Sequence, residues 1–267
     1  MGRYAPVLSW SCHPIDNANR ELQAGEIMNT YSEDYYKNRH KRTIYSANVV
    51  LSMLLEQVPK IQSAVDIGCG VGTWLSVLQE KGVKEIEGLD GKWVDQDLLE
   101  IPKDCFIPVD LGKMPIQLPQ RYDLAISLEV AEHLSPELTD GLVSSLAGLA
   151  DYVLFSAAIP FQGGRRHVNE QWQHYWVEKF RASGYEVYDF IRPKIWTDPH
   201  IPFPYRQNIL FFSKYPIARK ATDGDACTMP LDLVHPDNLT QMGIRGSFAL
   251  FLRSLKKRIN RIIGRRR

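Results

Sequence analysis

Between residues 45 and 212, short apolar runs that stop at an acid or a glycine alternate with stretches of helical periodicity. This alternation constrains the fold more than any other feature. Strands that alternate with helices build a mostly parallel sheet with helices on both faces. Val49, Val50, Met53 and Leu54 mark a helix over 45–58, ended by Pro59. The runs at 64–67, 85–89, 106–109, 123–128 and 152–157 read as strands. A second helix spans 73–80 and stops at Gly82. A third starts at Ser135-Pro136-Glu137, where Ser caps and Pro suits the first turn, and buries Leu138, Leu142, Leu146 and Leu149. A fourth, capped by Asn169, carries Trp172, Trp176 and Phe180 and closes at Gly184. Two last strands, 186–191 and 208–212, flank a loop containing Pro193, Pro199, Pro202 and Pro204.

The chain has 267 residues, enough for one large domain with a full core. Four segments are expected: a lead-in at 1–40, the domain at 41–215, a linker at 216–242 and a basic helix at 243–267. The formal net charge of +1 hides an asymmetry. Residues 243–267 hold nine Lys or Arg and no acid, leaving 23 basic against 31 acidic groups in the rest, a net of −8. Cys12, Cys69, Cys105 and Cys227 have no metal-like spacing and are too few for a disulfide framework. The opening MGRYAPVLSW lacks a basic stretch followed by a long apolar run, so no signal peptide is expected. No apolar stretch approaches the length of a bilayer span. A reducing, cytoplasmic setting fits, with peripheral attachment at the inner membrane face as an option opened by the basic tail.

In open parallel sheets ligands bind outside the carboxyl ends of the strands. Acids follow three of the strands there: Asp90, Asp110 and Glu129. The segment Val65-Asp66-Ile67-Gly68-Cys69-Gly70-Val71-Gly72 leaves a strand, turns on glycines and enters a helix. Glycine lets a backbone pass close to a ligand. Asp90, at the end of the next strand, is placed to accept hydrogen bonds from both hydroxyls of a ribose. A nicotinamide site shares this logic, but Thr73 stands where its third glycine would fall. Asp66, just before the glycines, repels a pyrophosphate and suits a ligand with a cationic part.

The strings VDIGCGVGTWL, EGLD, PVDL and YDLAISLEVAEHL resemble the successive motifs of the class I S-adenosylmethionine (SAM)-dependent methyltransferases, over roughly residues 40–213. The resemblance implies an α/β, Rossmann-like fold with a seven-stranded, mostly parallel sheet and an antiparallel last strand. It also implies that Gly68 and Gly70 approach the methionine moiety and that Asp66 faces its cationic end, directly or through water. Asp90 then binds the ribose, and Asp110 the adenine amino group with Leu111 beside it. The backbone around Leu128 lines the methionine side. Asp110 can equally be a solvated turn acid.

Methyl transfer from a sulfonium is an in-line displacement with a ready-made electrophile, so the protein supplies alignment and a dry pocket. A hydroxyl acceptor needs a general base or a metal ion at neutral pH. Glu129, Glu132 and His133 offer two carboxylates and an imidazole for a divalent ion such as Mg²⁺ or Mn²⁺. Their ExxEH pattern is similar to that of ubiquinone-pathway O-methyltransferases and small-RNA 3′-end 2′-O-methyltransferases, where it binds a metal. The alternative is an EH pair without metal, its acid assisting the cofactor or capping a helix. The loop 161–172 contributes Gly163, Gly164, Arg165, Arg166 and His167. His167 is the candidate base, a further metal ligand, or a surface histidine. The glycines, His167 and the HVNEQW string resemble methyltransferases associated with polysaccharide and glycan modification.

That resemblance points to O-methylation of a sugar hydroxyl on a polysaccharide or lipid-linked glycan. The alternatives are an RNA ribose, a small phenolic metabolite, or a SAM-binding accessory protein without catalysis. Trp196 and Tyr205 are candidate sugar-stacking residues, whereas Trp172 and Trp176 read as core. Tyr35, Tyr36 and Arg42 are candidates to close over the cofactor. Phe248, Phe251, Leu252, Leu255, Ile259, Ile262 and Ile263 fall at helical spacing, with Arg253, Lys256, Lys257 and Arg261 on other faces. Such a helix suits an anionic membrane surface, with packing on the domain as the alternative; nucleic acid is not the expected partner.

Overall fold

The structure, a computed structural model, describes residues 33–217 and 232–241. Its centre is a seven-stranded sheet in the order β3-β2-β1-β4-β5-β7-β6. The strands are β1 (Ser63–Ile67), β2 (Glu85–Asp90), β3 (Phe106–Pro108), β4 (Leu124–Leu128), β5 (Tyr152–Ser156), β6 (Glu186–Tyr188) and β7 (Leu210–Ser213). All pairs are parallel except those of β7, which runs antiparallel to both β5 and β6. The expected seven-stranded sheet with its antiparallel last strand is thus present. The helices are α1 (Glu33–Leu55), α2 (Thr73–Glu80), α3 (Thr139–Leu149), α4 (Gln173–Ala182), α5 (Arg192–Ile195), α6 (Phe203–Asn208) and α7 (Pro236–Gln241).

Strand alternation sends side chains to two separate cores. From β4, Leu124, Ile126 and Leu128 join one cluster with Val50, Leu51 and Leu54 of α1 and Leu75 and Leu78 of α2. Ala125 turns to the other, where Val153 and Phe155 of β5 meet Leu142 and Leu146 of α3 and Trp176 and Phe180 of α4. Phe180 stacks on Phe212 at 4.1 Å between ring centres. Each fully buried side chain of this size contributes about 1.5–3 kcal/mol. Both faces of the sheet are therefore closed, and its open edge for a ligand is the row of strand ends.

Several boundaries differ from the sequence reading. The first helix starts at Glu33, inside the expected lead-in, and ends at Leu55 before two turn residues. The helix expected from Asn169 begins instead at Gln173. Asn169 is buried and donates its amide to Thr139 Oγ1 at 3.1 Å and to the Ala131 carbonyl at 3.4 Å, so it ties a loop down rather than capping a helix. The Pro-rich loop is folded into α5 and α6, and Asn208 ends α6 rather than starting a strand. Proline at the first turns of both short helices explains this, since it lacks only an N–H that a helix start leaves unpaired. The described part of the expected linker is docked on the domain: His235 is buried, its backbone N–H donates to Gln207 Oε1 and its ring lies against Trp196. Among the described residues no helix is long and apolar enough to cross a membrane. The basic helix expected at 243–267 lies outside the described residues, as do the side chains of Tyr35, Tyr36 and Arg42.

Candidate active site

The carboxyl ends of β1, β2 and β4 open into a cavity of about 400 Å³. Gly68, Gly70 and Gly72 all have positive φ (86°, 56° and 85°), which glycine adopts without steric cost. A side chain at Gly68 would overlap Val130 on the segment after β4. At Gly70 an added Cβ would meet nothing within 4 Å. That glycine therefore presents bare backbone to open space. Asp90 fixes the loop: its carboxylate accepts from the N–H of Gly70 at 2.7 Å and of Gly91 at 2.6 Å.

Asp66, Gly68, Gly70, Asp90, Leu111 and Leu128, all singled out from the sequence, line this cavity. Asp66 is 2 % exposed. Burial first, then the negative charges of Asp66 and Asp90, push the Cys69 thiol well above its ordinary range. Two carboxylates, Asp66 and Asp90, thus stand together in the lining, an arrangement that suits a cationic ligand. Asp110 is placed differently. It is exposed outside the lining and accepts from the Gly112 N–H at 3.0 Å, with Lys113 at 3.8 Å, while Leu111 and Gly112 take the wall position. Trp93, which the sequence reading missed, also lines the cavity. Its ring lies where a side chain on Gly91 would be, so that glycine makes its seat.

At the other end of the cavity stands Glu129, with φ of 55°. This conformation costs a non-glycine residue about 1–3 kcal/mol and persists only when its surroundings enforce it. The enforcing contacts are visible. The Glu129 N–H donates to the Ser156 carbonyl at 3.0 Å. Its carboxylate accepts from Asn208 Nδ2 at 3.0 Å and from Gln162 Nε2 at 3.2 Å. Gln207 donates onward to Gln162 and Asn208, and its own Oε1 accepts from the His235 N–H at 2.8 Å.

Glu132 lies beneath, 1 % exposed. Burial, and then the charge of Glu129, raise its carboxyl well above the usual range. Its Oε2 has no hydrogen-bond partner. Ligand atoms of Glu132, His133 and His167 all lie within 4.8 Å of one another, and the two imidazoles meet edge to face at 4.9 Å. The structure therefore brings His167 into the cluster. Glu129 borders the cluster but has both carboxylate oxygens engaged by amides. His167 does not line the cavity itself; its neighbour Arg166 does, with a φ of 62°. Nδ1 of His167 is 3.1 Å from Glu170 Oε1. Burial alone would raise the Glu170 carboxyl, but its bonds with His167, Phe161 and Gly163 outweigh it and hold the group below its ordinary value.

The aromatic candidates separate. Tyr205 lines the cavity and meets Trp74 edge-on at 5.4 Å. Trp196 packs on His235 at 4.6 Å and is not presented to the cavity. Trp176 is core, as expected.

The family model of a methyltransferase domain matches residues 24–193, and the chain belongs to that family. A comparison with curated proteins finds no match. Among solved structures, a magnesium protoporphyrin IX methyltransferase of Synechocystis PCC 6803 with bound SAM is similar at a TM-score of 0.51 and 18% identity, over 77% of this chain and 100% of that one. DesVI of Streptomyces venezuelae gives 0.50 at 14% identity, over 76% and 100%. An O-methyltransferase family protein of Burkholderia thailandensis gives 0.51 at 13% identity, over 74% and 69%. At these identities the likeness is one of fold. Family and fold together make this chain a SAM-dependent methyltransferase.

Proposed function

We propose that the protein is an O-methyltransferase acting on a sugar hydroxyl of a polysaccharide or lipid-linked glycan. The observation that carries this reading is the Glu132–His133–His167 cluster, which reaches the cavity through His133. A hydroxyl is the acceptor that needs such a cluster, because it must lose its proton as it attacks. Bound SAM supplies the methyl group, already activated as a sulfonium. Asp90 holds the ribose, Gly68 and Gly70 approach the methionine moiety, Asp66 faces its positive end, and Leu111 lies beside the adenine and the Leu128 backbone beside the methionine. The open face of Gly70 and the carboxylate of Asp90 at the cavity wall fit this cofactor. His167 takes the acceptor's proton through the ring nitrogen that Glu170 does not occupy.

The cluster also fits a divalent ion, since Glu132 brings a carboxylate oxygen without a hydrogen-bond partner next to two imidazoles. Mg²⁺ or Mn²⁺ held by Glu132 and His133, with Glu129 adjacent, would supply charge that lowers the pKa of the acceptor hydroxyl. The sugar assignment draws on the loop 161–172 and its likeness to glycan-modifying methyltransferases. Arg166 at the cavity wall and the exposed Trp93 give that loop a polar and an aromatic partner for a saccharide. The expected tail helix would bring a cytoplasmic enzyme to lipid-linked substrates at an anionic membrane.

The test is a screen of purified protein with methyl-labelled SAM against glycans, RNA and quinone precursors. Transfer to a glycan hydroxyl supports the proposal; transfer to RNA or a phenol alone replaces the acceptor, and no transfer to any of them overturns the hydroxyl reading.

A further inference from the structure

Glu170 has a position that no expected role accounts for. Its carboxylate reaches three groups of one loop: Oε2 accepts from the Phe161 N–H at 2.8 Å, and Oε1 from the Gly163 N–H at 2.8 Å while facing His167 Nδ1 at 3.1 Å. An ionised carboxylate only accepts, so the imidazole must donate through Nδ1. In a neutral ring this leaves the lone pair on Nε2.

Two further contacts fix the ring. The backbone N–H groups of Val168 and Asn169 both donate to the Glu132 carbonyl, at 2.8 and 3.1 Å. The chain just after His167 is thus tied to the turn that carries Glu132. On the loop's other arm, a side chain at Gly164 would overlap the His167 ring at Nε2. The missing Cβ lets the Nε2 edge of the ring seat against the Gly164 backbone. Phe161 and Arg166 adopt positive φ (75° and 62°), so the loop is held in a conformation that free chains avoid. The Glu170 carboxylate is a bond common to both ends of it.

We propose that Glu170 is a positioning residue that holds His167 in its Nδ1–H tautomer, and that Gly164, by lacking a Cβ, provides the seat in which the ring is held. This rests on the reading of His167 as the group that activates the acceptor. Outer partners of this kind typically change activity or ligand affinity 10- to 100-fold when removed.

The experiment is ¹⁵N NMR of histidine-labelled full-length protein in chelator, at a pH where the His167 ring is neutral. In the wild type, His167 should show a protonated Nδ1 and an unprotonated Nε2. Glu170→Ala should move the proton to Nε2 or average the two forms. Glu170→Gln, whose Oε1 still accepts from Nδ1, should retain the wild-type pattern. Calorimetry with S-adenosylhomocysteine should give unchanged affinity in both variants, because Glu170 is not among the residues that line the cavity of the glycine loop. Should Glu170→Ala fail to fold, Gly164→Ala gives the second measurement, with displaced His167 ring signals in a folded protein. A wild-type Nε2–H tautomer, or an Nδ1–H tautomer that survives Glu170→Ala, overturns the proposal. His167→Ala with full turnover overturns the reading of His167 in the chemistry while leaving the tautomer result standing, so the two failures are distinguishable.

Discussion

Asn208, at the end of α6, donates its side-chain amide to Glu129 Oε1 at 3.0 Å across 79 residues of sequence. The bond links the antiparallel corner of the sheet to a strained residue at the cavity wall. Asn208 is 2 % exposed and also accepts from Gln207 Nε2 and donates to Gln162 Oε1, so its removal breaks a buried network that water does not reach. Asn208→Ala should destabilise the fold by about 1–3 kcal/mol, the cost of leaving a buried polar group unpaired. Chemical denaturation measures this directly. Unchanged stability would mean that Glu129 is not clamped from this side.

Glu132 gives a pH dependence with a definite sign. Its folded pKa lies above the unfolded value of about 4.3 because the buried carboxylate is disfavoured. The folded state then binds the extra proton, so its stability falls as pH rises from the unfolded pKa through the raised folded one. Glu132→Gln removes that penalty. In chelator, its melting temperature should gain on the wild type as pH increases across this window. A difference that stays constant from pH 4.5 to 8.5 would contradict the raised pKa.

The metal reading separates from the metal-free one by chelation. If Glu132 and His133 hold an ion, excess chelator should abolish methyl transfer and Mg²⁺ or Mn²⁺ should restore it. Mn²⁺ should also raise the melting temperature of the wild type but not of Glu132→Gln. Full activity of protein shown metal-free by elemental analysis would leave His167 as the base without an ion.

The C-terminal region divides at α7. Truncation after Gly243 keeps His235 and Asn238, both buried against the domain, and should leave the melting temperature and S-adenosylhomocysteine affinity nearly unchanged. It should reduce binding to vesicles containing anionic lipid, because the basic residues of 243–267 are gone. Truncation after Thr228 should lower the melting temperature, since it strips His235 from Gln207 and Asp237 from Arg206. Undiminished vesicle binding by the first truncation would remove the basis for a membrane-seeking tail.

The sheet was legible because its strands are buried on both faces and read as apolar runs, as with 124–128 and 152–156. That the glycine loop and Asp90 meet at one cavity was legible because they stand at the carboxyl ends of two strands that follow each other in sequence. Asp110 stands outside the cavity lining, and pattern alone did not separate that position from one in the wall. An acid after a strand satisfies a turn N–H as readily as a ligand, and here the Gly112 N–H is the partner. The buried amide network was invisible for another reason. Gln162, Gln207 and Asn208 come together only when β7 returns antiparallel beside β5, and no local spacing encodes that. His167 joined Glu132 and His133 for the same kind of reason, through two backbone bonds to the Glu132 carbonyl. Asn169 misled because a residue that caps helices also makes a good tie between loops.

The central claim is that the cavity at Gly70 and Asp90 is a SAM site. Isothermal titration of S-adenosylhomocysteine into wild-type protein and Asp90→Ala tests it most directly. The account predicts binding to the wild type at a stoichiometry of one and a loss of about 2–3 kcal/mol in the variant, roughly 30- to 150-fold, for removal of charge-assisted bonds to the ribose. A folded Asp90→Ala protein with wild-type affinity, or a wild type that does not bind, would contradict it.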